Sequence, residues 1–92
     1  SRSSYASIDE GVSFRQELDI RGLRADEAIK SVEVYVDKCI MFDANSVRII
    51  HGKGDGILRD IVRKTLSEFR QITSFKDEHV DYGGAGVTVL TF

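Results

Sequence analysis

Residues 51–56 read His-Gly-Lys-Gly-Asp-Gly, a segment in which glycines alternate with side chains that can carry charge. Glycine lets the backbone approach a ligand closely, and a helix that begins after such a loop presents unpaired N–H groups and a partial positive charge. Lys53 lies in the loop, and Arg59 and Arg63 follow four residues apart, the spacing of one helix face. This pattern predicts an anion site of the kind that holds a phosphate, formed by Lys53, Gly54, Arg59 and Arg63.

Two common phosphate-binding motifs do not fit this segment. A Walker A loop needs a glycine five positions before the Gly-Lys pair, where Val47 stands, and a Ser or Thr after the lysine, where Gly54 stands. A dinucleotide-binding loop needs a downstream acidic residue and a second βαβ half, which the sequence lacks. The sequence therefore argues against a nucleoside triphosphate or dinucleotide pocket.

Asp19 and His51 have the side chains best suited to acid–base chemistry. Cleavage of a phosphodiester needs a base, a proton donor for the leaving oxygen, and positive charge at the phosphate. Asp19 could activate water or hold a divalent metal, His51 could transfer protons because its ordinary pKa is near neutrality, and Arg21 and Lys53 could stabilise developing charge. Asp19 could instead cap a turn or pair with Arg21, and His51 could be a structural histidine, although we expect neither to belong to the core.

The charge of the chain is uneven. Its net charge of -2 argues against a protein that coats nucleic acid through an overall positive charge. Residues 48–64 nevertheless have a local balance of +3, from Arg48, Lys53, Arg59, Arg63 and Lys64 against Asp55 and Asp60. A local basic patch on an acidic protein indicates a binding site.

Apolar periodicity predicts one α/β domain with the order β-α-β-α-β-β. The predicted elements are a strand at Glu17–Arg21, a helix at Arg24–Met41, a strand at Val47–Ile50, a helix capped by Asp55 and running to Phe69, and strands at Ile72–Asp77 and Val87–Phe92. We expect a two-layer sandwich with a four-stranded mixed sheet and two helices on one face. A right-handed parallel crossover would bring Arg21 and the 51–54 loop to the carboxyl ends of neighbouring strands, where open α/β sheets bind ligands.

The remaining regions set the context of this domain. Residues 1–16 are predicted to be a linker or loose arm, docked in part by Ile8, Val12 and Phe14, and 17–92 to be the folded domain. Because the chain does not begin with Met, we expect it to be part of a longer protein. The sequence has no apolar run long enough for a membrane span. Cys39 is the only cysteine; we expect it in the core, and its isolation fits the reducing cytoplasm.

Three segments resemble motifs of the Smr (small MutS-related) domain family. Leu18-Asp19-Ile20-Arg21-Gly22 resembles the LDxxG motif, His51-Gly52-Lys53-Gly54 the HGxG motif, and Gly83-Gly84-Ala85-Gly86-Val87-Thr88 the closing glycine-rich motif. Arg21 stands where many stand-alone members carry His. In this the chain is similar to the C-terminal domain of the second, non-mismatch-repair class of bacterial MutS-like proteins.

The resemblance implies a fold like that of the C-terminal domain of a translation initiation factor, and binding and nicking of DNA, including branched DNA, or of RNA. It also implies a parent protein with an ATPase and a coiled-coil clamp that acts in recombination suppression or ribosome rescue, binds ATP and oligomerises through its other parts. We expect no cofactor in this domain, with a divalent metal at Asp19 as the open alternative. Two hypotheses for function remain: an endonuclease, and a nucleic-acid- or ribosome-binding module without catalysis.

Overall fold

The computed structural model describes residues 14–92 and has the predicted β-α-β-α-β-β order. Its elements are β1 (Glu17–Asp19), α1 (Ala25–Met41), β2 (Ser46–Ile50), α2 (Ile57–Leu66), β3 (Ser74–Asp77) and β4 (Val87–Thr91). Two single-turn 3-10 helices, Val80–Tyr82 and Gly84–Gly86, occupy the connection before β4.

Within the described residues, four strands form one mixed sheet in the order β1-β2-β4-β3. β1 and β2 are parallel, and β4 lies antiparallel between β2 and β3. α1 and α2 pack against each other on one side of this sheet. The predicted two-layer α/β sandwich is confirmed.

The two faces of the sheet have different surroundings. On β2, Val47 and Ile49 are buried against the helices, whereas Arg48 and Ile50 point to the other face, because side chains alternate along a strand. Cys39 is fully buried, as predicted, and burial raises the pKa of its thiol to about 11. The helix-facing core also contains Ile20, Ala28, Val32, Val36, Val62, Leu66 and Leu90.

α1 is an amphipathic helix whose first turn is capped by one of its own side chains. The carboxylate of Glu27 accepts a hydrogen bond from the backbone N–H of Arg24 at 3.1 Å, which satisfies one of the free donors at the helix start. Lys38 lies in the last turn, where a cation is favourable to the helix dipole. In the part of the chain that the structure describes, neither helix combines the length and apolar character needed to cross a bilayer.

The predicted bounds of α2 were wrong at both ends. The cap residue is Gly56, not Asp55, and its φ of 86° is a left-handed conformation that favours glycine. Asp55 still contributes, because its carboxylate accepts the N–H of Ile57 at 3.2 Å. The helix ends at Leu66 because the N–H of Phe69 bonds the Leu66 carbonyl, three residues back, so the chain tightens into a turn.

The start of the described chain packs against α1. The rings of Phe14 and Tyr35 are stacked with centroids 6.2 Å apart, and the Tyr35 hydroxyl donates a hydrogen bond to the carbonyl of Arg15 at 2.6 Å. Docking of Phe14 thus agrees with the expectation from sequence. Ile8 and Val12 lie outside the described residues.

Candidate functional site

The loops after β1 and β2 meet the glycine-rich segment before β4 at one end of the sheet. The carbonyl of Gly86 accepts the N–H groups of His51 and Gly52, at 3.1 and 2.9 Å. A Cβ atom on Gly86 would lie 3.4 Å from both the Gly52 carbonyl carbon and Lys53 Cγ, at the short limit of ordinary van der Waals contact. The absence of a side chain at Gly86 therefore lets these two loops lie directly against each other.

A cleft of about 330 Å³ opens beside this junction, on the sheet face that points away from the helices. Its walls come from all three motif segments and from β2: Arg21, Arg48, Ile50, Gly52, Lys53, Tyr82, Gly83, Gly86 and Val87. Three of these side chains are basic, and the glycines leave backbone exposed between them. A concave site with this lining can hold an anion.

Asp19 and Arg21 form an ion pair beside the cleft. The Asp19 carboxylate accepts hydrogen bonds from the backbone N–H of Arg21 at 3.0 Å and from its guanidinium at 3.0 and 2.6 Å. The hydrogen bonds from Arg21 lower the pKa of Asp19 to about 2. Both side chains remain about half exposed, at 47% and 62%. Pairing with Arg21, one of the alternatives left by the sequence, is thus present, and a catalytic role for Asp19 stays a prediction.

The side chains of the described residues do not form a protein-held metal site. Within residues 14–92, no three His, Cys, Asp or Glu side chains are grouped so that they could hold a metal ion. Asp19 is the carboxylate considered for this role, and its oxygens are engaged by the Arg21 guanidinium. A divalent ion at Asp19 would have to displace that cation and draw its remaining ligands from water or from a substrate.

Arg48 is a cleft residue that the sequence assigned to the basic patch of residues 48–64 but not to the predicted phosphate or catalytic site. Its guanidinium donates to the carboxylates of Glu78 and Glu17 and to the carbonyl of Tyr82, each at 2.9 Å. It therefore joins β1, β2 and the segment before β4 across the floor of the cleft. The available signal was an arginine inside an otherwise apolar strand.

Lys53 is the cleft cation least committed to the protein. It is exposed, and it forms no ion pair with any residue that the structure describes. Gly54, predicted with it, lines a neighbouring cavity of about 90 Å³ enclosed by residues 51–58. Its φ of 40° lies in the left-handed region, which lets the loop turn toward α2.

His51 is buried, contrary to the expectation that it lies outside the core. Its side chain points to the helix side of the sheet, with Nδ1 2.9 Å from the Gly52 carbonyl and Nε2 2.8 Å from Thr88 Oγ1. A carbonyl oxygen can only accept, so we assign the proton to Nδ1 and a hydrogen bond from the Thr88 hydroxyl to Nε2. Burial lowers the pKa of His51 and so favours the neutral ring. Its predicted proton-transfer role is untested.

Arg59 and Arg63 share a face of α2, as predicted, but this face is only partly exposed. Both guanidinium groups bind the carboxylate of Asp77 on β3. Arg63 also lies 3.2 Å from Thr88 Oγ1 and over the ring of Phe75. These side chains lie on the helix side of the sheet, whereas the cleft opens on the other face. Their contact with nucleic acid stays a prediction.

Known proteins are similar to this chain over most of its length. The model of the family described as "Smr domain" matches residues 18–92. Endonuclease MutS2 of Clostridium acetobutylicum is 38% identical over 85% of the chain, and that of Pelotomaculum thermopropionicum is 46% identical over 80%. The aligned regions are only 10% and 9% of those proteins, so the chain spans about a tenth of the curated relatives it matches.

Solved structures agree with this assignment. The Smr domain of Thermus thermophilus MutS2 superposes with a TM-score of 0.80 at 35% identity, covering 84% of this chain and 96% of that domain. YdaL, a stand-alone small MutS-related protein from Escherichia coli, has the same fold, with a TM-score of 0.73 at 23% identity over 84% of this chain and 63% of its own. With the three sequence motifs brought to one cleft, the chain belongs to the Smr domain family.

Proposed function

We propose that this domain binds the phosphate backbone of nucleic acid in the cleft and nicks it there. The observation that carries the proposal is the convergence of the three motif segments on one cleft lined by Arg21, Arg48 and Lys53. The name Endonuclease MutS2, given to its relatives, supports a phosphodiester as the target. The chain provides the cleft, and the longer protein would provide the ATPase and the role in recombination or ribosome rescue.

Binding depends first on Lys53. A phosphate needs a cation that is free to form new hydrogen bonds, and Lys53 is exposed and forms no ion pair with the described residues. Arg48 already donates to two carboxylates and a carbonyl, which compensate its charge, so its main role is to support the cleft wall. Contacts of this type carry little sequence information and weaken as salt rises.

The Asp19–Arg21 pair provides a route to cleavage. While Arg21 holds the carboxylate, the low pKa of Asp19 makes it a weak base. A phosphate that enters the cleft can take hydrogen bonds from the exposed Arg21 guanidinium, which binds phosphate as well as it binds carboxylate. Asp19 then loses the guanidinium and keeps only the hydrogen bond from the Arg21 backbone, so its pKa rises toward the ordinary value and it becomes a better acceptor for a proton from water. Arg21, now on the phosphate, stabilises the charge that develops there.

A second candidate is a binding module without catalysis. The position of His51 favours this candidate. A proton donor must reach the leaving oxygen, whereas His51 is buried and both of its ring nitrogens are already hydrogen-bonded. In that case the same cleft would only position the longer protein on nucleic acid or on a ribosome. The two candidates agree on binding and differ only in cleavage.

The test measures binding and nicking on DNA and RNA oligonucleotides of identical sequence, with and without a chelator. Lys53→Ala should weaken binding to every oligonucleotide, whereas Lys64→Ala removes the same charge from an exposed position on α2 and should not. Equal losses in both variants would contradict the cleft as the binding site. Wild-type binding without nicking under any condition would favour the binding module. Nicking that the chelator blocks would indicate a divalent ion bound with the substrate.

A further inference from the structure

Tyr82 is a large aromatic side chain exposed beside the cationic cleft. Its side chain is 68% exposed, yet it lies in the cleft wall with Arg21, Arg48 and Lys53. Val80, two residues earlier in the same 3-10 helix, is 77% exposed. The protein thus keeps an apolar surface in water at this rim, although neither side chain is packed in the core cluster.

The backbone of Tyr82 is fixed on both sides. Its N–H donates to the His79 carbonyl at 2.8 Å, and its carbonyl accepts from the Arg48 guanidinium at 2.9 Å. The next residue, Gly83, has a φ of 125°, and a Cβ there would lie 2.5 Å from Val87 Cγ2, so the turn requires glycine. The ring of His79 is 5.8 Å from that of Tyr82 and tilted by 52°. The backbone of Tyr82 is therefore held at a defined place beside the cleft, and its ring lies next to that of His79.

We propose that Tyr82 stacks on an unpaired nucleobase whose phosphate lies in the cleft. This inference rests on the proposed function and goes beyond it by naming the substrate class, unpaired nucleotides of DNA or RNA. A positive groove for the backbone next to an exposed aromatic ring is the combination that binds single strands. In a duplex the bases are stacked on each other, and a paired base offers no free face to Tyr82. Stacking tolerates any base, so this contact selects pairing state and not sequence.

The test compares three probes by fluorescence anisotropy at one low salt concentration: a single strand, the same strand annealed to its complement, and a strand of the same length built of abasic residues. Each is made as DNA and as RNA. Tyr82→Ala should weaken binding of the single strand by about 5- to 150-fold, the range expected for the loss of one stacked base. The ratio of single-strand to abasic affinity should fall by the same factor. Tyr82→Phe should restore it, because the ring and not the hydroxyl is required.

Met41→Ala is the matched control, since Met41 is 75% exposed on α1 and absent from the cleft wall. The ratio should not change in this variant. An unchanged ratio in Tyr82→Ala, with wild-type binding intact and weakened by Lys53→Ala, would overturn the stacking role and leave the proposed function standing. Wild-type protein that binds none of the probes would overturn both. If Tyr82→Ala lowers the affinity for all three probes by the same factor, Tyr82 shapes the cleft and does not stack on a base.

Discussion

Thr88→Val should destabilise the domain far more than its small change in shape suggests. Thr88 is fully buried on β4, and its hydroxyl lies 2.8 Å from His51 Nε2 and 3.2 Å from the Arg63 guanidinium. Valine fills the same volume but has no hydroxyl. The Nε2 atom of His51 would then be buried without a partner, and Arg63 would keep only its bond to Asp77.

The magnitude follows from the unsatisfied nitrogen. A buried polar group left without a hydrogen bond costs about 1–3 kcal/mol of folding free energy. A loss of roughly 2 kcal/mol in a domain of this size corresponds to a fall of about 8–16 °C in Tm. Moving the proton to Nε2 would not relieve the loss, because valine cannot accept a hydrogen bond either.

Thr65→Val is the matched control for this measurement. Thr65 is also buried, but its hydroxyl only adds a second hydrogen bond to the Ile61 carbonyl, which the α2 backbone already satisfies. Urea unfolding and thermal melts of both variants, followed by circular dichroism, give the two free energies. If Thr88→Val is as stable as Thr65→Val, the reasoning about the buried His51 hydrogen bond is refuted.

Four further outcomes are expected. Lys53→Ala should reduce the slope of log affinity against log salt by about one, the effect of one lost phosphate contact; an unchanged slope would place the phosphate elsewhere. Asp19→Asn should lower nicking by at least ~100-fold with binding and Tm nearly unchanged, and nicking at the wild-type rate in this variant would exclude Asp19 as the catalytic carboxylate. Because the pKa of His51 is lowered in the fold, the unfolded chain takes up that proton first, so stability should fall as the pH drops below 6.5, by at most about 1.4 kcal/mol per pH unit; stability that is flat or rising in this range would contradict the assignment. Arg59→Glu should lower Tm, because it places two carboxylates together on α2 and β3, and should leave binding nearly intact. An unchanged Tm with weakened binding would show that Arg59 contacts the nucleic acid.

Much of the fold followed from sequence because apolar spacing reports burial directly. The period of α1 placed Ala28, Val32 and Val36 on one buried face, and the β-branched run around Ile49 marked a central strand. The convergence of the Arg21 and Lys53 loops followed from the parallel pairing of β1 and β2, which brings their carboxyl ends together. Element ends were less predictable, since they depend on local turns such as the left-handed Gly56.

The arginines of α2 show why the site was predicted only in part. Their spacing indicates that Arg59 and Arg63 share a helix face, but it does not indicate whether that face is exposed to solvent or lies against the edge of the sheet. Asp77, the residue that binds both, is far along the chain on β3 and carries no motif. The burial of His51 was missed because the alternation of side chains along β2 continues one residue beyond Ile50. This alternation turns the His51 side chain to the helix side of the sheet, although its backbone N–H bonds the Gly86 carbonyl beside the cleft.

The position of β4 has a consequence for biosynthesis. This strand is central, between β2 and β3, yet it is the last of the described strands to leave the ribosome. Until it is made, β3 has no partner in the sheet and one edge of β2 stays open. Exposed strand edges are templates for pairing with other chains. The nascent domain therefore completes its sheet only after Val87–Thr91 has been synthesised.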